Sequence, residues 1–269
     1  MNIIETDELN KNLNSFTILD SRWKLGENNF LNSEYIKGHI PGAIKMDLEK
    51  FSNLESKFPH MIPSKSYFEN MISKLGININ DKIVIYDQTG FLSSARIWFL
   101  LKIFGFVNLQ ILNGGYKRWV EKKFEIQTNE NKKKRTKTSG FFFQKNIIAN
   151  KKFVKEASKN EKFQIIDARS SERFLGLVEE PRKNVKKGNI LGSINIPFYK
   201  IHNKNGLILN NKDLEALFRN NYIDLEKKII CLCGSGVTAC NIIFALNRLS
   251  CNDYYLYDGS WSEWGCVKK

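Results

Sequence analysis

Cysteine is absent from the first 230 residues of this 269-residue chain. All five thiols, Cys231, Cys233, Cys240, Cys251 and Cys266, come after that point, an odd count without the paired spacing of a disulfide framework or a zinc motif. Histidine is scarce too: only three occur, none beside the cysteines. A disulfide-stapled fold and a metal site of the zinc type are therefore not expected. Cys231 and Cys233 are separated by one residue, an awkward spacing for an unstrained bridge, and Cys231 reads as a core strand residue. Long apolar runs are also missing, and the opening Met1–Glu8 shows no basic region followed by an apolar stretch. A soluble, cytoplasmic protein with no membrane partner is expected.

Acidic residues are outnumbered, 28 against 42 Lys and Arg, for a formal net charge of +14. Such an excess raises nucleic acid as a partner. The lysines are scattered, however, and the one cluster, Lys132-Lys133-Lys134-Arg135-Thr136-Lys137, has no interleaved aromatic residues for stacking bases. A compositional bias with a solvated linker fits better than a nucleic-acid binder.

What is present centres on Cys231-Leu232-Cys233-Gly234-Ser235-Gly236-Val237-Thr238-Ala239-Cys240. The preceding Lys227–Leu232 is a short apolar run after a charged start, the pattern of a buried parallel strand. Ala239, Ile242, Ile243, Ala245, Leu246 and Leu249 then recur at helical spacing, so a helix begins near Val237 or Thr238. Cys233 falls where strand becomes helix. A thiol is nucleophilic as thiolate, and the free N–H groups of a helix start stabilise negative charge. Gly234 and Gly236 relax the backbone so that successive N–H groups can turn inward around an anion. A buried cysteine beside a glycine turn is the plainer reading of the same residues. A cysteine phosphatase needs an arginine six positions after its cysteine, and Ala239 stands there, which excludes phosphate-ester chemistry.

The chain repeats itself. A strand Phe16–Asp20, the segment Gly38-His39-Ile40-Pro41-Gly42, a strand Lys82–Asp87, a helix around Ala95–Phe104, a strand Leu109–Leu112 and Asn113–Trp119 make up the first half. Phe163–Asp167, Gly188–Ser193, the strand and helix around Cys233, Tyr254–Tyr257 and Asp258–Trp264 follow in the same order. Asp20 and Asp167 lie 147 positions apart, Asp87 and Cys233 146, Trp119 and Trp264 145. This predicts a duplicated α/β protein, each copy a parallel sheet with helices on both faces. The expected boundaries are 1–123, a Lys-, Asn-, Thr- and Ser-rich linker over 124–151, and 152–269. Phe141-Phe142-Phe143 is expected to pack as a strand or to anchor the linker. Asp87 aligns with Cys233, so only the second domain carries the thiol, and the first is expected to supply the other wall of a cleft.

Three segments, Cys233–Ala239, Tyr257–Gly265 and Gly38–Ala43, resemble the two-domain rhodanese-family sulfurtransferases, on their 3-mercaptopyruvate branch. The resemblance implies tandem rhodanese-like domains and a ping-pong cycle without cofactor: Cys233 takes sulfur as a persulfide and passes it to cyanide or to a thiol, such as thioredoxin or a small thiol. Relatives that prefer thiosulfate carry basic side chains directly after the cysteine, whereas Gly234 and Ser235 bring no charge. Arg173 and Arg182 match the two arginines that hold the carboxylate and keto groups of the small-molecule donor, and Gly234, Gly236, Val237 and Thr238 match the substrate loop. Ser235, His60 and Glu49 match a set that could manage protons. Asp20 and Asp167 read as partners of backbone or nearby arginine, His39 as structural, and Trp261 and Trp264 as packing under the loop. A thiosulfate sulfurtransferase, an inactive rhodanese-like binding module and sulfur delivery to tRNA are the competing readings.

Overall fold

The computed structural model describes residues 2–131, 133–136 and 139–267. Lys132 and Lys137 of the basic cluster lie outside the described residues. The chain divides into two compact units. The first contains a five-stranded parallel sheet made of β1 (Ile3–Ile4), β2 (Thr17–Asp20), β3 (Ile44–Lys45), β4 (Ile83–Tyr86) and β5 (Leu109–Leu112), in the order β1-β5-β4-β2-β3. The second has β6 (Ile148–Ala149), β7 (Phe163–Asp167), β8 (Ile194–Asn195), β9 (Lys228–Leu232) and β10 (Tyr254–Tyr257), in the order β6-β10-β9-β7-β8. The two orders are the same. Parallel neighbours require crossovers, and the helices supply them: α1 (Thr6–Lys11), α2 (Phe30–Lys37), α3 (Lys65–Leu75), α4 (Ser94–Ile103) and α5 (Gly115–Glu121) in one unit, α6 (Lys151–Ala157), α7 (Ser171–Phe174), α8 (Asn211–Asn220), α9 (Ala239–Arg248) and α10 (Ser260–Trp264) in the other. Among the described residues no helix is long and apolar enough to cross a membrane.

Strands β2 and β4 are buried at every position, as expected of central strands covered on both faces. Side-chain caps define several helix starts: Ser64 Oγ accepts from the Tyr67 N–H at α3, Asn150 from Phe153 at α6 and Asn210 from Asp213 at α8. Matching core positions fill the two units. Val84, Tyr86 and Leu112 pack in one, with Ile230, Leu232 and Tyr257 at the corresponding places of the other.

Two segments part from the plain division at 124–151. The first unit comprises 1–54, 62–144 and 204–208, and the second 55–61, 145–203 and 209–269. Period counting cannot reveal such excursions, because the stretch between β3 and α3 forms no strand or helix and its proline-flanked turns are free to leave the sheet. His60 accordingly belongs with the second unit. Much of the expected linker is docked rather than solvated: Arg135 donates to Ser73 Oγ at 3.4 Å and to Asn70 Oδ1 at 3.3 Å, and Lys133 Nζ donates to Thr17 Oγ1 at 2.6 Å. Phe141–Phe143 forms no strand. It anchors the segment, with Phe143 stacked on Phe104 and Phe141 edge-on to Phe68.

His39 is structural. It is fully buried, stacked on Tyr35 at 3.6 Å, with Nδ1 at 2.8 Å from the Tyr35 carbonyl and Nε2 at 3.1 Å from Asn131 Nδ2. A carbonyl only accepts and an amide N–H₂ only donates, so Nδ1 carries the proton, Nε2 accepts and the ring is neutral. Burial pulls its pKa below the ordinary 6.5, against the opposing Tyr35 bond. As pH falls below 6.5 the unfolded chain takes up a proton that the folded chain refuses, so this residue removes stability from that point down to its folded pKa. The urea midpoint of the wild type should drop more steeply between pH 6.5 and 5 than that of His39→Gln; parallel slopes would count against it.

Candidate active site

Cys233 follows the last residue of β9 and precedes α9, whose N-cap is Thr238. It is 2% exposed. The start of α10 holds its backbone: Trp261 N–H donates to Cys233 O at 2.9 Å, and Ser262 N–H and Oγ donate to Gly234 O at 2.9 and 2.5 Å. The Cys233 N–H donates to Ser260 Oγ at 3.2 Å, and that hydroxyl donates to Tyr257 O at 2.8 Å. With its carbonyls tied down from one side, the loop is fixed as a rigid turn.

The first unit contains the same turn with a different occupant. Tyr116 N–H donates to Asp87 O and Lys117 N–H to Gln88 O, reproducing the α10 bonds. Here the central side chain is a carboxylate. Asp87 Oδ1 accepts from the N–H groups of Thr89 (2.9 Å) and Gly90 (2.5 Å), and Oδ2 from Leu92 (2.6 Å), Ser93 (2.9 Å) and Ser94 (2.9 Å). Five backbone donors on one carboxylate make a complete anion nest. The aligned residues in the second unit are Ser235, Gly236, Thr238, Ala239 and Cys240. Even the supporting bond recurs, with Ser94 Oγ donating to Gly90 O at 2.9 Å and Cys240 Sγ to Gly236 O at 3.2 Å. Cys240 is thus a structural thiol in a serine's place.

Ser260 and its counterpart Gly115 both adopt left-handed backbone, φ +49° and +58°. A Cβ at Gly115 would strike Asp87 O and the Gly90 N, so glycine is required there. At Ser260 a side chain is present in that strained conformation, and its hydroxyl is what meets the Cys233 N–H.

Within the second unit, expected site residues gather about the cysteine turn. Arg182 Nη2 donates to Ser235 Oγ at 3.3 Å, and the same oxygen lies 2.9 Å from His60 Nδ1, so the three form one chain beside Cys233. Arg173 stands next to Gly234: a Cβ built on that glycine would lie 2.9 Å from Arg173 Nη2. Glu49 belongs to the first unit, where its Oε1 accepts from Trp23 Nε1 at 2.8 Å and it lines a cavity of about 190 Å³ with Arg22, Asp47 and Lys50. Burial pushes the Cys231 thiol well above its ordinary value, keeping it neutral in the core. The five cysteines, all among the described residues, form no disulfide. Among the described residues no cluster of His, Cys, Asp and Glu could hold a metal.

Sequence reasoning passed over Glu180 and Ser260. Glu180 sits directly before Pro181-Arg182, and an acid between two arginines of interest was the signal available. Asp20 and Asp167 serve as expected: Arg22 and Arg169 each grip the aspartate two residues before with Nε and Nη2, the shortest contact 2.6 Å in both. Trp261 lies under Arg169 at 4.3 Å, while Trp264 packs edge-on to Tyr257.

The rhodanese-like domain matches residues 5–122 and 150–265, the two copies described above. The chain belongs to the rhodanese-like domain family. Over 232 residues, 86% of this chain and 82% of the relative, it is 34% identical to the 3-mercaptopyruvate sulfurtransferase of Escherichia coli K12. The mouse 3-mercaptopyruvate sulfurtransferase is 32% identical over 92% of this chain and 84% of its own length, and the rat thiosulfate sulfurtransferase 30% over 93% and 85%. Among solved structures, the rhodanese fold of SseA, a 3-mercaptopyruvate sulfurtransferase from Escherichia coli, superposes with a TM-score of 0.87 at 30% identity, covering 97% of this chain and 99% of that one.

The rhodanese-like nest of the first unit has a measurable consequence. Asp87→Ala removes the acceptor of five N–H groups, those of Gly90, Ser93 and Ser94 buried, and should cost on the order of 3 kcal/mol in urea denaturation. A loss below about 1 kcal/mol would mean water replaces the carboxylate at little cost.

Proposed function

We propose that the protein is a 3-mercaptopyruvate sulfurtransferase working through a persulfide on Cys233. The observation that carries this reading is a cysteine turn without a charged side chain of its own, flanked by the Arg173 guanidinium and by the Arg182–Ser235–His60 chain. Thiosulfate is a dianion and calls for cations on the turn itself. A donor that brings one carboxylate is matched by guanidinium groups placed beside the turn.

In the proposed cycle the Cys233 thiolate attacks the sulfur of 3-mercaptopyruvate. The S–S bond forms as the carbon–sulfur bond breaks, and the released electron pair passes into the enolate of pyruvate. Protonation at the former sulfur-bearing carbon gives pyruvate, with Ser235 and His60 relaying that proton. Glu49 is the acidic member proposed for this set. Arg173 and Arg182 hold the donor's carboxylate and keto oxygens. The persulfide anion takes the position in its turn that the Asp87 carboxylate holds in the duplicate, facing the N–H groups of Ser235, Gly236, Thr238 and the start of α9. Gly236, at φ +76°, and Val237 shape the turn. Cyanide or a thiol, a small one or that of a thioredoxin, then takes the outer sulfur and returns Cys233 to thiolate. No cofactor takes part. The proposal sets the enzyme in the cytoplasm, a compartment that keeps thiols reduced, with no role for nucleic acid.

The test is steady-state pyruvate formation from 3-mercaptopyruvate beside thiocyanate formation from thiosulfate. Wild type should prefer 3-mercaptopyruvate. Arg182→Ala should lose roughly 10- to 100-fold in kcat/KM for it, the worth of one charge-assisted contact, and Cys233→Ser should show no turnover. Preference for thiosulfate would assign the protein to thiosulfate sulfurtransferases. Absence of turnover, with no sulfur mass gained after incubation with donor, would make it a binding module.

A further inference from the structure

Arg173 does not reach the cysteine turn as a free side chain. Its Nε and Nη2 both donate to Glu180, at 3.3 and 2.5 Å, so one edge of the guanidinium is held side-on by a carboxylate whose side chain is 4% exposed. The other edge, Nη1 and Nη2, faces Gly234: the position of a Cβ there lies 3.6 and 2.9 Å from these atoms. Glu180 is itself fixed, because its Oε1 also accepts from Arg169 Nη1 at 2.9 Å. Arg169 in turn is clamped by Asp167, donates to Gly188 O at 2.8 Å and lies over the Trp261 ring. The charges alternate from the sheet outward: Asp167, Arg169, Glu180, Arg173.

The duplicate shows which part of this line is an addition. Arg22 repeats Arg169 in its grip on Asp20, in its bond to a glycine carbonyl (Gly38, 2.9 Å) and in its place over an aromatic ring, Tyr116 at 4.4 Å. The bonds of Arg22 end there, with no second carboxylate among them. Among the described residues, the step from arginine to Glu180 and on to a second arginine is made at Arg169 and not at Arg22. A buried Asp–Arg pair is enough to hold the fold, since the first unit does without the rest.

We propose that Glu180 is a positioning residue for the sulfur donor, holding the Arg173 guanidinium end-on to the turn in the space beside Gly234 that a side chain would take. The inference rests on the reading of Arg173 as a ligand of the donor carboxylate. A side-on carboxylate leaves one forked pair of N–H groups for the donor and fixes its direction, so the donor carboxylate meets a guanidinium that has already lost its rotamer freedom. Any side chain at 234 displaces Arg173 and gives up the carboxylate site. The backbone of Gly234 is not in the left-handed region, so alanine is refused there only for want of space, and the obstacle is the far end of a side chain that can move.

The experiment is a double-mutant cycle read in KM and kcat for both donors: wild type, Glu180→Gln, Gly234→Ala, Arg173→Ala, and each of the first two combined with Arg173→Ala. Alone, Glu180→Gln and Gly234→Ala should each raise the KM for 3-mercaptopyruvate about tenfold or more, the cost of a misplaced charged contact, with kcat changed by less than about threefold. In the Arg173→Ala background neither should lower kcat/KM by more than about twofold, because both act through the same guanidinium. Costs that multiply in the combined variants would overturn the inference while leaving the activity intact. A wild type that does not turn over 3-mercaptopyruvate would overturn the proposed function, and this inference with it. Should Glu180→Gln fold poorly by circular dichroism, Gly234→Ala decides alone, since it leaves every bond in the Asp167–Glu180 network in place.

Discussion

A turn whose backbone N–H groups converge on one point must have negative charge at that point. A buried amide without an acceptor costs about 1–3 kcal/mol, so an empty turn would be destabilised. The first unit meets the requirement with Asp87, whose two oxygens take all five donors. On the proposed reading, the second meets it with sulfur, as thiolate and then as persulfide. The surrounding scaffold is common to both: a buried strand behind, a helix ahead, and the start of another helix holding the carbonyls. The difference between an inert copy and a reactive one is thus concentrated in a single side chain at the centre of the turn.

On the same reading, specificity comes from charge placed beside the turn, not on it. An alternating line of charge begins at the buried Asp167–Arg169 pair and ends at a guanidinium beside Gly234. A pair buried to this degree adds little net stability over a well-packed apolar substitute, but breaking it is expensive. Its value is directional. Ser260 belongs to the same logic, since a residue held at φ +49° accepts strain in order to place one hydroxyl under the Cys233 N–H.

Much of this was legible in the residues. The offsets between Asp20 and Asp167, or Asp87 and Cys233, reported the duplication because sheet strands and their crossovers keep their lengths. The strand before Cys233 and the helix after it followed from apolar runs and helical spacing, and β9 and α9 lie within two residues of the reading. Family resemblance, not periodicity, singled out Arg173, Arg182, Ser235 and His60. What stayed hidden depended on three-dimensional excursions. His60 lies in the first half of the chain, yet its ring meets Ser235 because 55–61 packs with the second unit. Glu180 went unremarked, since nothing in a linear spacing says that two arginines share it. The basic run beyond Asn131 read as solvated, but its Lys133 and Arg135 lie against β2 and α3, next to the anchoring phenylalanines.

The carboxylate in the first turn is tethered by its own backbone, and tethering gives it an effective concentration that no dissolved anion approaches. Sulfate, sulfite or phosphate in the surrounding solution therefore compete for the second turn alone. Saturation of the chain with an inhibitory oxyanion should count one per molecule despite the two copies of the loop. The duplication doubles the scaffold without doubling the number of places where the enzyme can be blocked.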